Sequence, residues 1–108
     1  MIDWLVPFQV FSDGVKGSAD RAHVGLRHGS MRCILYAPPL PDPQTPHEQD
    51  ELYIVHAGSG DFVLKGERRA FGPGDVIFVP AGADHRFENY TSDFTTWAVF
   101  WGPKGGED

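Results

Sequence analysis

Between Ala37 and Pro46 the chain carries five prolines in ten residues, Ala-Pro-Pro-Leu-Pro-Asp-Pro-Gln-Thr-Pro. Each proline fixes its own φ and removes a backbone donor, so the segment can be neither a helix nor a central strand. It is expected to be an extended strap. The same punctuation continues elsewhere, with nine prolines and thirteen glycines in 108 residues, too many for a helical bundle and suited to a chain that turns often. Aromatic and β-branched residues gather between these breaks in short runs such as Asp75 to Val79 and Phe94 to Trp101, which read as strands. The fold class expected is all-β.

About nine strands at short spacing follow. Trp4 to Phe11 alternates loosely and contains Pro7, which suits an edge strand, and Ser12 to Ser18 is a loop by composition. Residues 1–18 are thus read as an N-terminal edge strand and loop. Arg21 to Arg27 and Met31 to Tyr36 flank a hairpin turn at His28-Gly29-Ser30. After the strap come Glu51 to His56, Asp61 to Lys65, Arg68 to Phe71, Asp75 to Val79, His85 to Tyr90 and Phe94 to Trp101, and residues 102–108 read as a frayed tail. Such spacing argues a sandwich or a closed barrel within one domain spanning 1–108.

The formal net charge of -6 and the scattering of the nine basic residues argue against nucleic acid. No run approaches the length of a membrane span, and the N-terminus lacks a basic region followed by an apolar one, so the expected location is cytoplasmic. The lone Cys33 is expected to be a small buried residue rather than a reactive thiol. Arg68 and Arg69 read as a solvated face, and His23, His28 and His56 as surface residues.

The chemistry-bearing residues fall in two segments. Side chains alternate across a strand, so an inward His47 brings Gln49, Glu51, Tyr53 and Val55 into its phase and turns Glu48, Asp50 and His56 away, unless a bulge intervenes. In the second segment His85, Phe87 and Asn89 share a phase, and Gly82 permits the turn that presents His85. His47, Glu51 and His85 on adjacent strands make a two-histidine, one-carboxylate set suited to Fe(II) and acceptable to Mn, Ni or Zn. The alternative is that the three merely hydrogen-bond one another in a polar barrel mouth. Tyr53 either lines the cavity, orienting a substrate or donating a proton, or is an ordinary core tyrosine with a satisfied hydroxyl. Phe62, Phe87 and Trp97 form either a pocket wall or plain core. Arg32 reaches an anionic substrate only if its strand faces inward, a phase for which Met31, Cys33 and Leu35 compete.

The segment Gly74 to Asn89 resembles the second signature motif of the cupin superfamily, G-x5-P-x-G-x2-H-x3-N, at Gly74, Pro80, Gly82, His85 and Asn89. The first motif, G-x5-H-x-H-x3-4-E-x6-G, is similar at His47, Glu51 and Gly58. Thr45 stands where that motif has its first histidine and Pro39 where it has its opening glycine. The resemblance implies a double-stranded β-helix, or jelly-roll barrel, with a divalent transition metal near one open end. Thr45 is a poor ligand, so three protein ligands are expected, or three with a fourth from Gln49 or Gln44.

The leading functional expectation is a metal-dependent enzyme on a small organic molecule, a dioxygenase of the Fe(II) type. His47, Glu51 and His85 hold the metal, Tyr53 and Gln49 position substrate, and Phe62, Phe87, Trp97 and Asn89 belong to the pocket. A non-catalytic small-molecule binding or sensing module and a sugar isomerase or epimerase stand as alternatives. The apolar N-terminal strand offers an edge for a homodimer.

Overall fold

In the computed structural model, residues 4–108 are described, so the first three residues of the segment read for a leader lie outside it. One helix and eight strands follow in chain order among the described residues: α1 (Phe8–Lys16), β1 (Ala22–His28), β2 (Met31–Tyr36), β3 (Asp50–Ala57), β4 (Gly60–Leu64), β5 (Glu67–Phe71), β6 (Val76–Val79), β7 (His85–Glu88) and β8 (Thr95–Trp101). They build a five-stranded sheet in the order β1-β2-β8-β3-β6 and a three-stranded sheet in the order β5-β4-β7. Neighbouring strands run antiparallel in both. The main core lies between them, where Ile34, Tyr53, Val55, Val79 and Ala98 of the large sheet meet Phe62, Phe71 and Phe87 of the small one. This is the all-β jelly roll expected from the sequence.

The N-terminal segment departs from expectation. Trp4 to Phe11 is not an edge strand, and Ser12 to Lys16 is not loop, because residues 8 to 16 are helical. Phe8, Phe11 and Val15 recur at i, i+3 and i+7, a helical period that eight residues interrupted by Pro7 do not separate from a loose alternation. Pro7 sits in extended backbone just before the first turn, where a missing donor costs nothing. Phe11 and Val15 are buried against Leu35 and Ala37 on the outer face of the large sheet, with Leu26, Cys33 and Trp97 around them. Gly25 of β1 makes this approach feasible: a Cβ there would stand 2.4 Å from the Phe11 ring.

The C-terminal segment is not frayed. The Gly105 N–H donates to the Glu48 carbonyl at 2.8 Å and the Glu107 N–H to Asp50 Oδ2 at 2.9 Å, so residues 105 to 107 lie against the entry to β3. The strap from Ala37 to Pro46 has no regular structure, as its prolines require. It is held by Asp42, which accepts from Tyr36 Oη at 2.8 Å and from the Phe87 N–H at 2.9 Å. The Tyr90 hydroxyl adds a bond to the Pro39 carbonyl. The strap thereby crosses one end of the barrel and closes on β7.

Candidate metal centre

The two sequence segments meet through main chain before they meet through side chains. Gly82, at φ +79°, turns the chain ahead of β7 and donates its N–H to the His47 carbonyl at 2.7 Å. A side chain at that φ is strained, which accounts for glycine at the position. From this joint His47, Glu51 and His85 converge, with one donor atom from each within 4.8 Å of the others. His47 Nε2 lies 2.6 Å and His85 Nε2 3.6 Å from Glu51 Oε1.

Both imidazoles are oriented from behind. His47 Nδ1 is 2.8 Å from the Gln49 carbonyl and His85 Nδ1 is 2.9 Å from the Ala83 carbonyl. A carbonyl only accepts, so each Nδ1 carries the hydrogen and each Nε2 is the atom turned inward. His85 Nε2 also stands 3.2 Å from Gln44 Oε1, so it faces two oxygens with no donor. Such a setting calls for a cation at the centre, a shared proton or a metal ion. Two borderline nitrogens and a carboxylate fit a divalent transition ion. The outward hydrogen bonds are those that orient histidine ligands in metalloproteins.

Gln44 completes the inner surface. Its Nε2 donates to Asp42 Oδ2 at 2.7 Å, which turns Oε1 inward to accept from Tyr53 Oη at 2.6 Å. Tyr53 is fully buried. Burial, with the charge and hydrogen bond of Glu51, pushes its phenol well above the usual tyrosine range. Phe62 and Phe87 pack on Tyr53 at ring-centroid distances of 5.8 and 4.9 Å, and Phe62 lies 6.1 Å from the His85 ring, so both border the cluster from the core. Burial pushes up the Cys33 thiol, which lies in the cluster under α1.

Three expected site residues do not join the converging side chains. Gln49 does not share the phase of His47, because the chain bends at residues 48 and 49 before β3 begins at Asp50. Its amide is engaged on the outer side, with Nε2 donating to the carbonyls of Ser30 at 3.1 Å and Gly102 at 2.9 Å. Trp97 points to the opposite face of β8 and packs edge-on against Phe11 beneath α1, at 4.8 Å between centroids. Asn89 holds a left-handed conformation, φ 54°, at the end of β7 and donates to Asp61 Oδ2 at 3.0 Å, so its part is in the turn. Thr45 is exposed.

Two contributors escaped the sequence reading. Phe100 sets its ring 4.6 Å from that of His47, nearly perpendicular, on the inward phase of β8 that Trp97 does not occupy. Asp42 orients Gln44 from within the proline strap. Its signal was present: Asp42 and Gln44 are side chains able to hydrogen-bond in a segment where prolines leave few backbone donors.

Access to the cluster is one-sided. The His47 side chain is 18% exposed, against 2% for Glu51 and none for His85. Beside His47 opens a hollow of about 460 Å³ lined by Arg32, His47, Glu48, Gln49, Gly102 and Lys104.

Comparison with known proteins agrees with this architecture. A protein of Streptomyces coelicolor described only as uncharacterized is 36% identical over 81 residues, covering 73% of this chain and 77% of its own length. The dimethylsulfoniopropionate lyase DddQ of Ruegeria pomeroyi is 36% identical over 56 residues, covering 51% of this chain and 27% of the lyase. The crystal structure of a Cupin 2 conserved barrel domain protein from Salinispora arenicola superposes with a TM-score of 0.63 at 28% identity, covering 76% of this chain and 75% of that one. The model of the cupin domain matches residues 36–101, which run from the end of β2 to the end of β8 and include the strap and all three converging side chains. The chain belongs to the cupin domain family.

Proposed function

We propose that the protein is a metal-dependent enzyme acting on a small organic molecule, with His47, Glu51 and His85 holding a divalent transition metal. The observation that carries this reading is the convergence of both Nε2 atoms on Glu51 Oε1, each ring held by an Nδ1–H bond to main chain. Gln44 Oε1 is the fourth donor in this proposal, because its amide faces His85 while that of Gln49 is engaged outside. When bound, the metal supplies Lewis-acid polarisation or, as Fe(II), reactivity toward dioxygen. The dioxygenase reading draws on the two-histidine, one-carboxylate set.

A second reading, acid–base chemistry without redox, draws on Tyr53. Its phenol keeps its proton beside Glu51 and gives a hydrogen bond to Gln44, so it stands ready as a positioned donor. The lyase among the relatives is in keeping with this reading. Phe62 and Phe87 exclude water from the inner side of the cluster in either case.

Elemental analysis of protein purified without chelator or affinity metal tests the proposal. One transition ion per chain is expected. His85→Ala should abolish it, Thr45→Ala should leave it nearly intact, and Gln44→Ala should weaken affinity by roughly ten- to a hundredfold. Metal-free wild type with an intact fold would move the protein to the binding modules. Oxygen consumption over a panel of small acids and phenols then separates the two chemistries.

A homodimer belongs to the same proposal. Its support is the exposure of Trp4, Leu5, Phe8 and Val10 around the start of α1 rather than a sheet edge. A monomeric mass in light scattering at micromolar protein would remove it.

A further inference from the structure

The hollow beside His47 is lined by two cations and one carboxylate. In a protein of net charge -6, two cations, Arg32 and Lys104, line this opening, through which solvent meets His47. Lys104 is already paired, 3.6 Å from Glu48, and both are exposed to water. Arg32 is different. Arg32, Ile34 and Tyr36 share one face of β2, and Ile34 belongs to the barrel core, so Arg32 points to the barrel side. Its guanidinium carbon sits 4.5 Å over the centroid of Phe100, the ring that meets His47. One of its nitrogens donates to Gln49 Oε1 at 3.0 Å, and Gln49 is anchored in turn to Ser30 and Gly102. Among the described residues no carboxylate forms an ion pair with it.

A guanidinium stacked on a ring, fixed by an uncharged amide and left without an anion is preorganised for one. We propose that Arg32 binds a carboxylate of the substrate at this mouth, so that the molecule acted on is a small carboxylic acid entering past His47. A carboxylate matches the planar fork of arginine, and of the two cations lining the hollow Arg32 is the one with no ion pair among the described residues. A phosphate dianion would set both of its charges at one head beside Glu48, whose partner is already Lys104, whereas a dicarboxylate sets a single charge at the arginine fork. The inference rests on reading His47, Glu51 and His85 as a metal centre, because that reading makes the hollow an entrance.

Calorimetric titration of zinc-loaded and metal-free protein with malonate, its neutral diamide malonamide, and inorganic phosphate tests it. Malonate should bind wild type more tightly than phosphate does. Arg32→Gln should weaken malonate at least tenfold and Arg32→Lys at least threefold, with malonamide unchanged, while Lys104→Gln should change malonate less than threefold. Circular dichroism and zinc content of each variant establish that the fold and the cluster persist. Equal malonate affinity in wild type and Arg32→Gln, tighter phosphate than malonate, or no malonate binding by folded wild type would each overturn the inference. Zinc content of wild type reports separately on the metal reading. A metal-free wild type whose malonate affinity still depends on Arg32 defeats that reading alone.

Discussion

Each imidazole of the cluster gives its Nδ1 hydrogen to a main-chain carbonyl, and at His47 the remaining nitrogen has a choice of proton or metal that pH decides. Burial by itself lowers the His47 pKa. The hydrogen bond and charge of Glu51, helped by the Gln49 carbonyl, outweigh it, and the net direction is upward. A histidine whose folded pKa lies above its ordinary value of about 6.5 contributes stability that is complete below that value and lost as pH rises through the folded one. Metal affinity changes the opposite way, because the metal displaces the Nε2 proton. Both trends widen the gap between the loaded and metal-free proteins as pH rises. With zinc at a hundred times its dissociation constant the stabilisation is about 2.7 kcal/mol. At about 4–8 °C per kcal/mol this is a Tm difference of roughly 10–20 °C near pH 8, shrinking toward pH 6. Scanning calorimetry of both forms across that range checks it, and a gap independent of pH would contradict the coupling.

At the scale of elements, the bend before β3 decides much of the site. Asp50, the first residue of β3, accepts the Glu107 and Ala81 N–H groups through its two oxygens, at 2.9 and 3.0 Å, and so ties the C-terminal segment and the turn before β7 to one strand end. Those two bonds, that of Glu107 foremost, hold its carboxyl below the usual carboxylate range. A depressed carboxyl contributes stability above its ordinary pKa, about 3.9, that is lost as pH falls through the folded value. Asp50→Ala should therefore speed amide hydrogen exchange at Glu107 at least tenfold near neutral pH while leaving the centre of β3 protected, and in wild type the protection factor at Glu107, taken against the intrinsic rate at the same pH, should fall once acid protonates Asp50. Unchanged exchange at Glu107 would show that the glycine turns alone hold the segment. The sequence conveyed the types and spacing of His47, Glu51 and His85 because strand alternation resumes at Asp50. It did not convey the bend at residues 48 and 49, which turns Gln49 outward, nor a partner for Glu107 fifty-seven positions away. Composition marks a glycine-rich tail as free, and only the fold brings it to an acceptor.

At the scale of the whole molecule, the described residues form two apolar clusters, and the difference between them explains the placement of Trp97. The main core lies between the sheets and includes Tyr53, Phe62 and Phe87 next to the candidate metal centre. The second lies between α1 and the outer face of the large sheet and includes Phe11, Val15 and Leu35, with Trp97 packed against it. A strand covered on both faces shows no polar side from which its inward phase can be read. β8 is such a strand, so the sequence reading puts Trp97 in the pocket and passes over Phe100, because the sequence does not show that the helix covers one face. If the clusters are energetically separate, Phe11→Ala should cost about 3–5 kcal/mol, the usual range for emptying a buried phenylalanine site, while metal stoichiometry and affinity stay at wild-type values. Phe87→Ala, at similar cost, should also weaken metal binding, since its ring packs at 4.9 Å on Tyr53, whose hydroxyl bonds Gln44 Oε1 at the centre. Denaturant titration paired with zinc titration of the two variants gives both numbers. Loss of metal affinity in Phe11→Ala would show that the helix supports the centre through the sheet, and the two clusters would then count as one.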